Sequence, residues 1–219
     1  MGTGAWQDTD MPADLEQDAA AAVALCQAAH ARLLASAQGL ADDQVRAPSR
    51  LPGWSVGHVL THLARNAEGH ARRLEAALVG ADLPRYPGGS SQRDADIAAG
   101  AGHSAAELAA DLAGTARRLE HVWARSAAAG WPHAELRGHD SWPTTASPSR
   151  RLREVEVHHA DLGLGYEPTD WPEEYIEWEL PMLLATLPRR LPDPGDRRDL
   201  LVWLMGRRPD LPPVRLDPW

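Results

Sequence analysis

The chain has 219 residues, 43% of them hydrophobic and 24% charged, which is ordinary for a globular protein with one good core. The formal net charge of −9 disfavours nucleic-acid binding, because a phosphate-binding surface needs a basic excess. The N-terminal segment lacks the basic and apolar regions of a signal peptide, and the longest apolar stretches, such as 19–25, are too short to span a bilayer. A lone cysteine, Cys26, excludes an internal disulfide. These features predict a cytoplasmic protein without a membrane span.

Hydrophobic residues recur at helical spacing in four long segments, and serines mark the starts of three of them. The predicted helices cover about 13–40, Ser55 to Val79, Ser104 to Ala128, and Ser147 to about Gly163. Loops are expected between them, including 84–91 and 130–146, where proline or glycine is frequent. The fold class is therefore mainly α, with a four-helix bundle over residues 1–166. Residues 167–219 form a short C-terminal extension, in which helices are expected at about 173–186 and 197–206.

The last helix of the predicted bundle carries the side chains with the clearest chemical potential. Arg151, Glu154, His158 and Asp161 form a narrow polar stripe, which we place in the middle of the apolar face of the helix. Burial of charges there is costly unless each is paired or bound to a metal. Glu154 and His158 are four residues apart and can reach one ion, while Asp161 can accept the second ring N–H of His158.

The second helix offers His62 as a third ligand, beside its apolar stripe and in line with Asn66. Two histidines and one glutamate form a familiar catalytic zinc set that leaves a position open for water or substrate. His58 lies one turn before His62 and can line the same site. The spacing also fits an ordinary hydrogen bond between Glu154 and His158, and the pattern alone does not distinguish this pair from a metal site. On a helix Glu156 should face solvent; a short strand would instead place it beside Glu154.

The segment 53–57, Gly-Trp-Ser-Val-Gly, matches the GxSxG pattern of a hydrolase nucleophile elbow. That motif requires a hydrophobic strand before it, and the preceding residues 46–52 do not form one. We therefore interpret Ser55 as the N-cap of the second helix. Cys26, within an Ala-rich helix, is interpreted as a small buried residue rather than a nucleophile.

Three segments resemble one known family, the mycothiol-dependent maleylpyruvate isomerases of actinobacteria, within the DinB-like superfamily of metal-binding four-helix bundles. The segments are LPGWSVGHVLTHLARNA at 51–67, RLREVEVHHADLGLGY at 151–166 and LVWLMGRRPDLP at 201–212. The resemblance implies a DinB-like bundle that binds Zn²⁺ through His62, Glu154 and His158. It also implies a functional arginine at Arg207 or, less favourably, its neighbour Arg208.

The resemblance further implies mycothiol as the thiol cosubstrate and a small-molecule substrate. In the family mechanism, thiolate adds to the cis double bond of maleylpyruvate, the bond rotates, and loss of the thiol gives fumarylpyruvate. Arg207 and Arg151 would hold a carboxylate, and Asn66 would bind thiol or substrate. The family's C-terminal α/β domain is cut down here, which leaves three functions open: the isomerase, a mycothiol S-transferase acting on another electrophile, or a non-catalytic zinc-binding stress protein. Oligomeric state is left open.

Overall fold

The computed structural model describes residues 14–133, 142–207, 210 and 213. Its eight α-helices in these ranges are α1 (Ala19–Ala37), α2 (Asp42–Arg46), α3 (Val56–Leu78), α4 (Gly89–Gly100), α5 (Ala105–Ala128), α6 (Ser147–Asp161), α7 (Glu173–Arg190) and α8 (Pro194–Leu204). The same ranges contain no β-strand, only a single bridge between Pro48 and Ser55. The mainly α fold class is therefore confirmed.

Local signals set the predicted helix starts. Ser55 Oγ accepts the backbone N–H of His58, and Ser104 Oγ accepts that of Glu107, so each serine caps an otherwise unpaired donor. Pro148 lies in the first turn of α6, where its missing N–H costs nothing. The N-cap interpretation of Ser55 is thus confirmed, and no strand of a nucleophile elbow precedes it.

Four helices form the bundle as a closed ring. Helix α3 packs against α5 and α6, and α1 packs against α6 and α5. The buried side chains that fill the ring come from all four helices and include Leu33, Leu63, Leu112, Leu119, Trp123 and Leu152. The predicted four-helix bundle is confirmed, and each helix presents one apolar face to this core.

Helix α4 was not predicted, because its Gly-Ser-rich start overlaps the segment assigned to a loop. It buries Ile97 and packs against α3. The approach is close at Gly100, where an added Cβ would lie 2.6 Å from the Thr61 Cγ2 atom. The sequence of α4 has a low intrinsic helix propensity, so its packing against α3 stabilises the helix.

Helix α1 corrects one expectation. Its 19 residues have a mean hydropathy of 1.2, so by length and composition alone the helix is able to cross a membrane. Its face formed by Ala22, Cys26, Ala29 and Leu33 is buried, and the helix packs against α5 and α6. That burial is the behaviour of a core helix in a globular domain.

The chain divides into two compact units after Pro172. The first holds the bundle, and the second holds α7 and α8. Within the second unit, leucines of both helices surround a cavity of about 420 Å³. The domain division predicted after residue 166 stays a prediction.

Candidate metal centre

Three side chains from α3 and α6 converge at the surface of the bundle. His62 Nε2 lies 2.9 Å from Glu154 Oε2, and His158 Nε2 lies 3.6 Å from the same oxygen. One donor atom from each of the three lies within 4.8 Å of the others. The residues that the sequence analysis combined from two distant segments are therefore neighbours in the fold.

Asp161 completes the arrangement behind His158. Its Oδ2 atom lies 2.8 Å from His158 Nδ1, which fixes the proton of a neutral imidazole on Nδ1 and leaves Nε2 with a free lone pair toward Glu154 and His62. A carboxylate behind a ligand histidine is the usual arrangement in protein metal sites.

The protonation states suit cation binding. Burial alone would raise the pKa of Glu154, but the hydrogen bond with His62 and the nearby His62, His158 and Arg151 lower the pKa to about 2. Burial lowers the pKa of His62, against the opposing effect of Glu154. At neutral pH the cluster therefore offers an ionised carboxylate and a neutral His62 imidazole, the forms that bind metals.

Two features of α6 differ from the sequence-based expectation. Glu154 and His158 lie at the edge of the buried face, with side-chain exposures of 24% and 19%, whereas Arg151 of the same polar stripe is buried. Glu156, expected to face solvent, is buried and accepts hydrogen bonds from Arg32 Nη2 at 2.6 Å and from the Tyr166 hydroxyl at 2.5 Å. The strand alternative is wrong, since residues 147–161 are helical.

Arg151 is fully buried and joins three helices. Its Nη1 donates to Asn66 Oδ1 and to the Leu63 carbonyl, each at 2.9 Å, and its Nε donates to His30 Nε2 at 3.1 Å. His30 Nδ1 in turn contacts Glu120 Oε1 at 2.7 Å. Because Arg151 can only donate, His30 must carry its ring proton on Nδ1. The predicted site residues Arg151 and Asn66 are thus hydrogen-bonded to each other, one turn from His62, Glu154 and His158, which we call the triad.

Further polar pairs continue the same pattern toward the other end of α3. His70 Nδ1 lies 2.9 Å from Ser147 Oγ, and the Arg73 guanidinium stacks 3.5 Å from the centroid of the Trp142 ring and donates to its carbonyl. We call the four pairings His62–Glu154, Asn66–Arg151, His70–Ser147 and Arg73–Trp142 the polar ladder. Residue numbers increase along α3 while those of their partners on α6, and before its start, decrease, so α3 and α6 run antiparallel.

Trp54 forms an aromatic wall beside the triad, which the sequence analysis missed. Its ring centroid lies 5.7 Å from that of His62 in an edge-on arrangement and 6.1 Å from that of His58. His58 contacts Ser55 Oγ through Nδ1 at 2.8 Å. The adjacent Trp-Ser pair of segment 53–57 was the available signal, but we used it only to place a helix cap.

Arg207 belongs to the second unit, in the turn after α8, where its backbone N–H bonds to the Val202 carbonyl and the residue is exposed. Its functional role stays a prediction. The neighbouring Arg208 lies outside the described residues.

The fold and the three-ligand cluster define a helical-bundle protein with a candidate metal centre. The model of the mycothiol maleylpyruvate isomerase N-terminal domain family matches residues 26–163, so the chain belongs to this family. No curated protein sequence matches the chain.

Two solved structures share the fold: crystal structures of the mycothiol-dependent maleylpyruvate isomerase and of a histidine-to-alanine mutant of it. Each has a TM-score of 0.68 and 22% sequence identity, and each alignment covers 74% of this chain and 69% of the other.

Proposed function

We propose that His62, Glu154 and His158 bind one divalent metal ion, preferably Zn²⁺, and that the protein uses it with the thiol mycothiol to convert a small electrophilic acid. The observation that carries the proposal is the convergence of three ligand-type donor atoms, from two helices, within 4.8 Å of one another. Tetrahedral zinc ligands at about 2.0–2.2 Å from the ion lie roughly 3.3–3.6 Å apart. The 3.6 Å separation of His158 from Glu154 lies in this range, whereas the 2.9 Å separation of His62 from Glu154 is that of a hydrogen bond, which must lengthen when an ion binds.

The donor set supports a metal over a simple hydrogen-bonded cluster. His62 Nε2 and His158 Nε2 both face Glu154 Oε2, at 2.9 Å and 3.6 Å, so the two imidazoles and the carboxylate present their ligand atoms to one region. Two imidazoles and one carboxylate satisfy zinc with a position left open. Partial exposure of Glu154 and His158 gives a small molecule access to that position.

The remaining residues have separate tasks in the proposal. Bound zinc lowers the pKa of a thiol that it coordinates, so that thiolate is available near neutral pH. Asp161 orients His158 through its Nδ1 proton. Trp54 packs edge-on against His62 and forms one side of the site. The buried Cys26 has its pKa raised by burial and is unsuited to act as a nucleophile, so the thiol must come from outside the chain.

Substrate binding is assigned to arginines. Arg207 is exposed and able to hold a carboxylate in a forked pair. Arg151 is fully buried, and its Nη2 atom has no hydrogen-bond partner among the described residues. We propose that Arg151 and Asn66 mainly position α3 against α6. A second role for either residue, the binding of a carboxylate or of the thiol, is also part of the proposal.

Maleylpyruvate is the substrate that family membership favours, with fumarylpyruvate as the product. The second candidate function is a mycothiol S-transferase, favoured because the elements described in the second unit are the helices α7 and α8 and not an α/β domain. The two functions differ in stoichiometry, since an isomerase regenerates the free thiol and a transferase consumes it. Cytoplasmic location belongs to the same proposal.

The metal is tested by elemental analysis of the purified protein. We expect about one zinc per chain in the wild type and in His121→Ala, which changes an exposed histidine outside the cluster. His158→Ala should lose the metal. Glu154→Gln should weaken zinc binding by at least about 100-fold, more than the loss from a residue that only orients a ligand. Full occupancy in His158→Ala contradicts the ligand set.

The reaction is tested by ultraviolet monitoring of maleylpyruvate with and without mycothiol, with the products separated by chromatography. Fumarylpyruvate formation that requires catalytic thiol supports the isomerase. A thiol adduct with another electrophile, without isomerisation, supports the transferase. Equal rates without any thiol exclude both mechanisms, and zinc binding with no turnover supports the non-catalytic alternative.

A further inference from the structure

The second unit contains a leucine-lined cleft that has no part in the proposed function. Helices α7 and α8 are joined by residues 191–193, and the cavity of about 420 Å³ lies between them. Its lining residues recur at intervals of three and four, so each helix turns one face toward the cleft. This spacing relates Leu184, Leu187 and Leu191 on the α7 side and Arg197, Leu200 and Leu204 on the α8 side.

The cleft is closed at one end and open at the other. Leu191 and Leu200, near the connection between the helices, are 2% and 9% exposed, whereas Leu184 and Leu204 at the far ends are 49% and 59% exposed. Each row covers seven residues, or about 10 Å along a helix axis. The cleft therefore has a buried apolar floor and one entrance, and its volume is usual for a small-molecule site.

Exposed apolar surface is concentrated at this entrance and beside it. Val79 and Leu83 are the exposed large hydrophobic residues among the described part of the first unit, and the second unit has three times as many. Surface leucines that are scattered need no explanation, but a localised apolar patch marks a binding site. The patch consists of Leu180, Leu184, Leu201, Val202, Leu204 and Met205.

Arg197 gives the closed end of the cleft a positive charge. Its Nε atom donates to the Leu191 carbonyl at 2.6 Å, which holds the guanidinium beside the buried floor. This bond uses one of five N–H donors, and the Nη groups supply the forked pair that recognises a carboxylate. The neighbouring Asp193 caps α8 by accepting the Gly195 N–H. A ligand that matches both the leucines and Arg197 has an anionic head and an aliphatic tail.

We propose that this cleft binds an aliphatic carboxylate of medium chain length. The carboxylate pairs with Arg197, and the hydrocarbon chain lies along the leucines toward the entrance between Leu184 and Leu204. Binding is driven by burial of apolar surface, and the ion pair sets the direction of the chain. The residues of this site all belong to the second unit and the triad belongs to the first, so the proposal is independent of the proposed function.

Calorimetry of the full chain with octanoate and with 1-octanol separates the two halves of the ligand. We expect octanoate to bind about tenfold more tightly than octanol, because only octanoate forms a charged hydrogen-bonded pair. Arg197→Gln should weaken octanoate to the level of octanol and leave octanol unchanged. Arg198→Gln makes the same charge change at an exposed residue outside the lining and should affect neither probe.

Leu204→Ser tests the apolar half of the site. Because Leu204 is exposed, the helix content measured by circular dichroism should stay at the wild-type value while both probes bind about threefold or more weakly. Failure of the wild type to bind octanoate overturns the proposal, as do equal losses of octanoate in Arg197→Gln and Arg198→Gln. A dimer that Leu204→Ser dissociates, and that octanoate does not affect, would instead assign the leucines to a second copy of the chain.

Discussion

The two interfaces that α3 makes within the bundle differ in kind. Toward α6, the polar ladder places buried hydrogen-bonding groups at successive turns, and Asn66, His70, Arg73 and Arg151 are each at most 1% exposed. Helix α5, by contrast, buries mostly hydrophobic residues, and its ion pairs with α3, Arg65–Asp111 and Arg118–Glu75, lie at partly exposed edges. Apolar packing tolerates small shifts, whereas buried hydrogen bonds require one alignment. We infer that the α5 side stabilises α3 and that the α6 side sets its register, which positions the candidate metal ligands.

The largest effect should come from Arg151→Ala. This change leaves His30 Nε2, Asn66 Oδ1 and the Leu63 carbonyl without their donor, and loss of one partner in a buried polar network typically costs about 3–5 kcal/mol. The free energy of unfolding in urea measures it, with the exposed Arg117→Ala as control, expected within about 0.5 kcal/mol. A loss of less than about 1 kcal/mol in Arg151→Ala would contradict the inference that contacts with α6 set the register of α3.

Leu119→Ala tests the apolar interface. Leu119 on α5 is fully buried, and its truncation should lower the free energy of unfolding by about 3 kcal/mol through lost burial and a cavity. Zinc content of the folded variant should stay at the wild-type value, because no ligand position depends on a hydrogen bond of this residue. Zinc loss in a variant that remains folded at the assay temperature would show that both interfaces set the ligand geometry.

Asp161→Asn addresses the proposed metal centre directly. The amide cannot accept the His158 proton as a carboxylate does, so we expect zinc affinity to fall by about 10- to 100-fold with little change in folding. Competition with a metal-sensitive dye measures the affinity. Asp111→Asn, at the α3–α5 edge, is the matched substitution and should leave zinc affinity unchanged.

Acid should weaken the ladder before it affects the apolar interface. Burial lowers the pKa of His70 well below its ordinary value. Below about pH 6.5 the unfolded chain therefore binds a proton that the folded protein does not, so stability falls as pH decreases, by about 1.4 kcal/mol between pH 7.5 and pH 5.5 from this residue. Urea unfolding at pH 7.5, 6.5 and 5.5 measures the slope. His70→Gln should make the free energy of unfolding less dependent on pH, whereas the exposed His121→Ala should not. An unchanged slope in His70→Gln would mean that other residues cause the pH dependence.

The smallest effect is expected at the edge of the α3–α5 interface. Arg118 Nη2 lies 2.7 Å from Glu75 Oε2, but the side chains are 49% and 33% exposed. Solvent screening limits such a pair to about 0–1 kcal/mol. A double-mutant cycle with Arg118→Ala and Glu75→Ala measures the coupling. A coupling above about 2 kcal/mol would mean that polar contacts on this side also align α3.

Local signals were sufficient for much of the fold. Ser55 and Ser104 carry their capping function in their immediate neighbours, and the apolar spacing of α3 and α5 identifies two long helices. Helix α4 was missed because its stability depends on packing against α3. The bundle itself follows from four amphipathic segments with short connections.

The candidate site was predictable where its residues are periodic or match a known family. His62, Glu154 and His158 were combined in this way, and the structure brings them together. Glu156 was assigned to solvent because its partners, Arg32 and Tyr166, lie far away or beyond the helix end and cannot be paired from spacing. Trp54 was missed for a similar reason, since its contact with His62 depends on how the preceding loop folds back.

The spacing of the polar ladder also determines how the bundle can misfold. Consecutive partners on α3 are three or four residues apart, or about 4.5–6 Å along the helix axis. A slide of α6 by one turn would keep leucines in contact with leucines but would place every donor opposite the wrong group at once. Misalignment is therefore all-or-none, and a chain trapped one turn out of register would retain its helices and a closed core while its three candidate metal ligands remain apart.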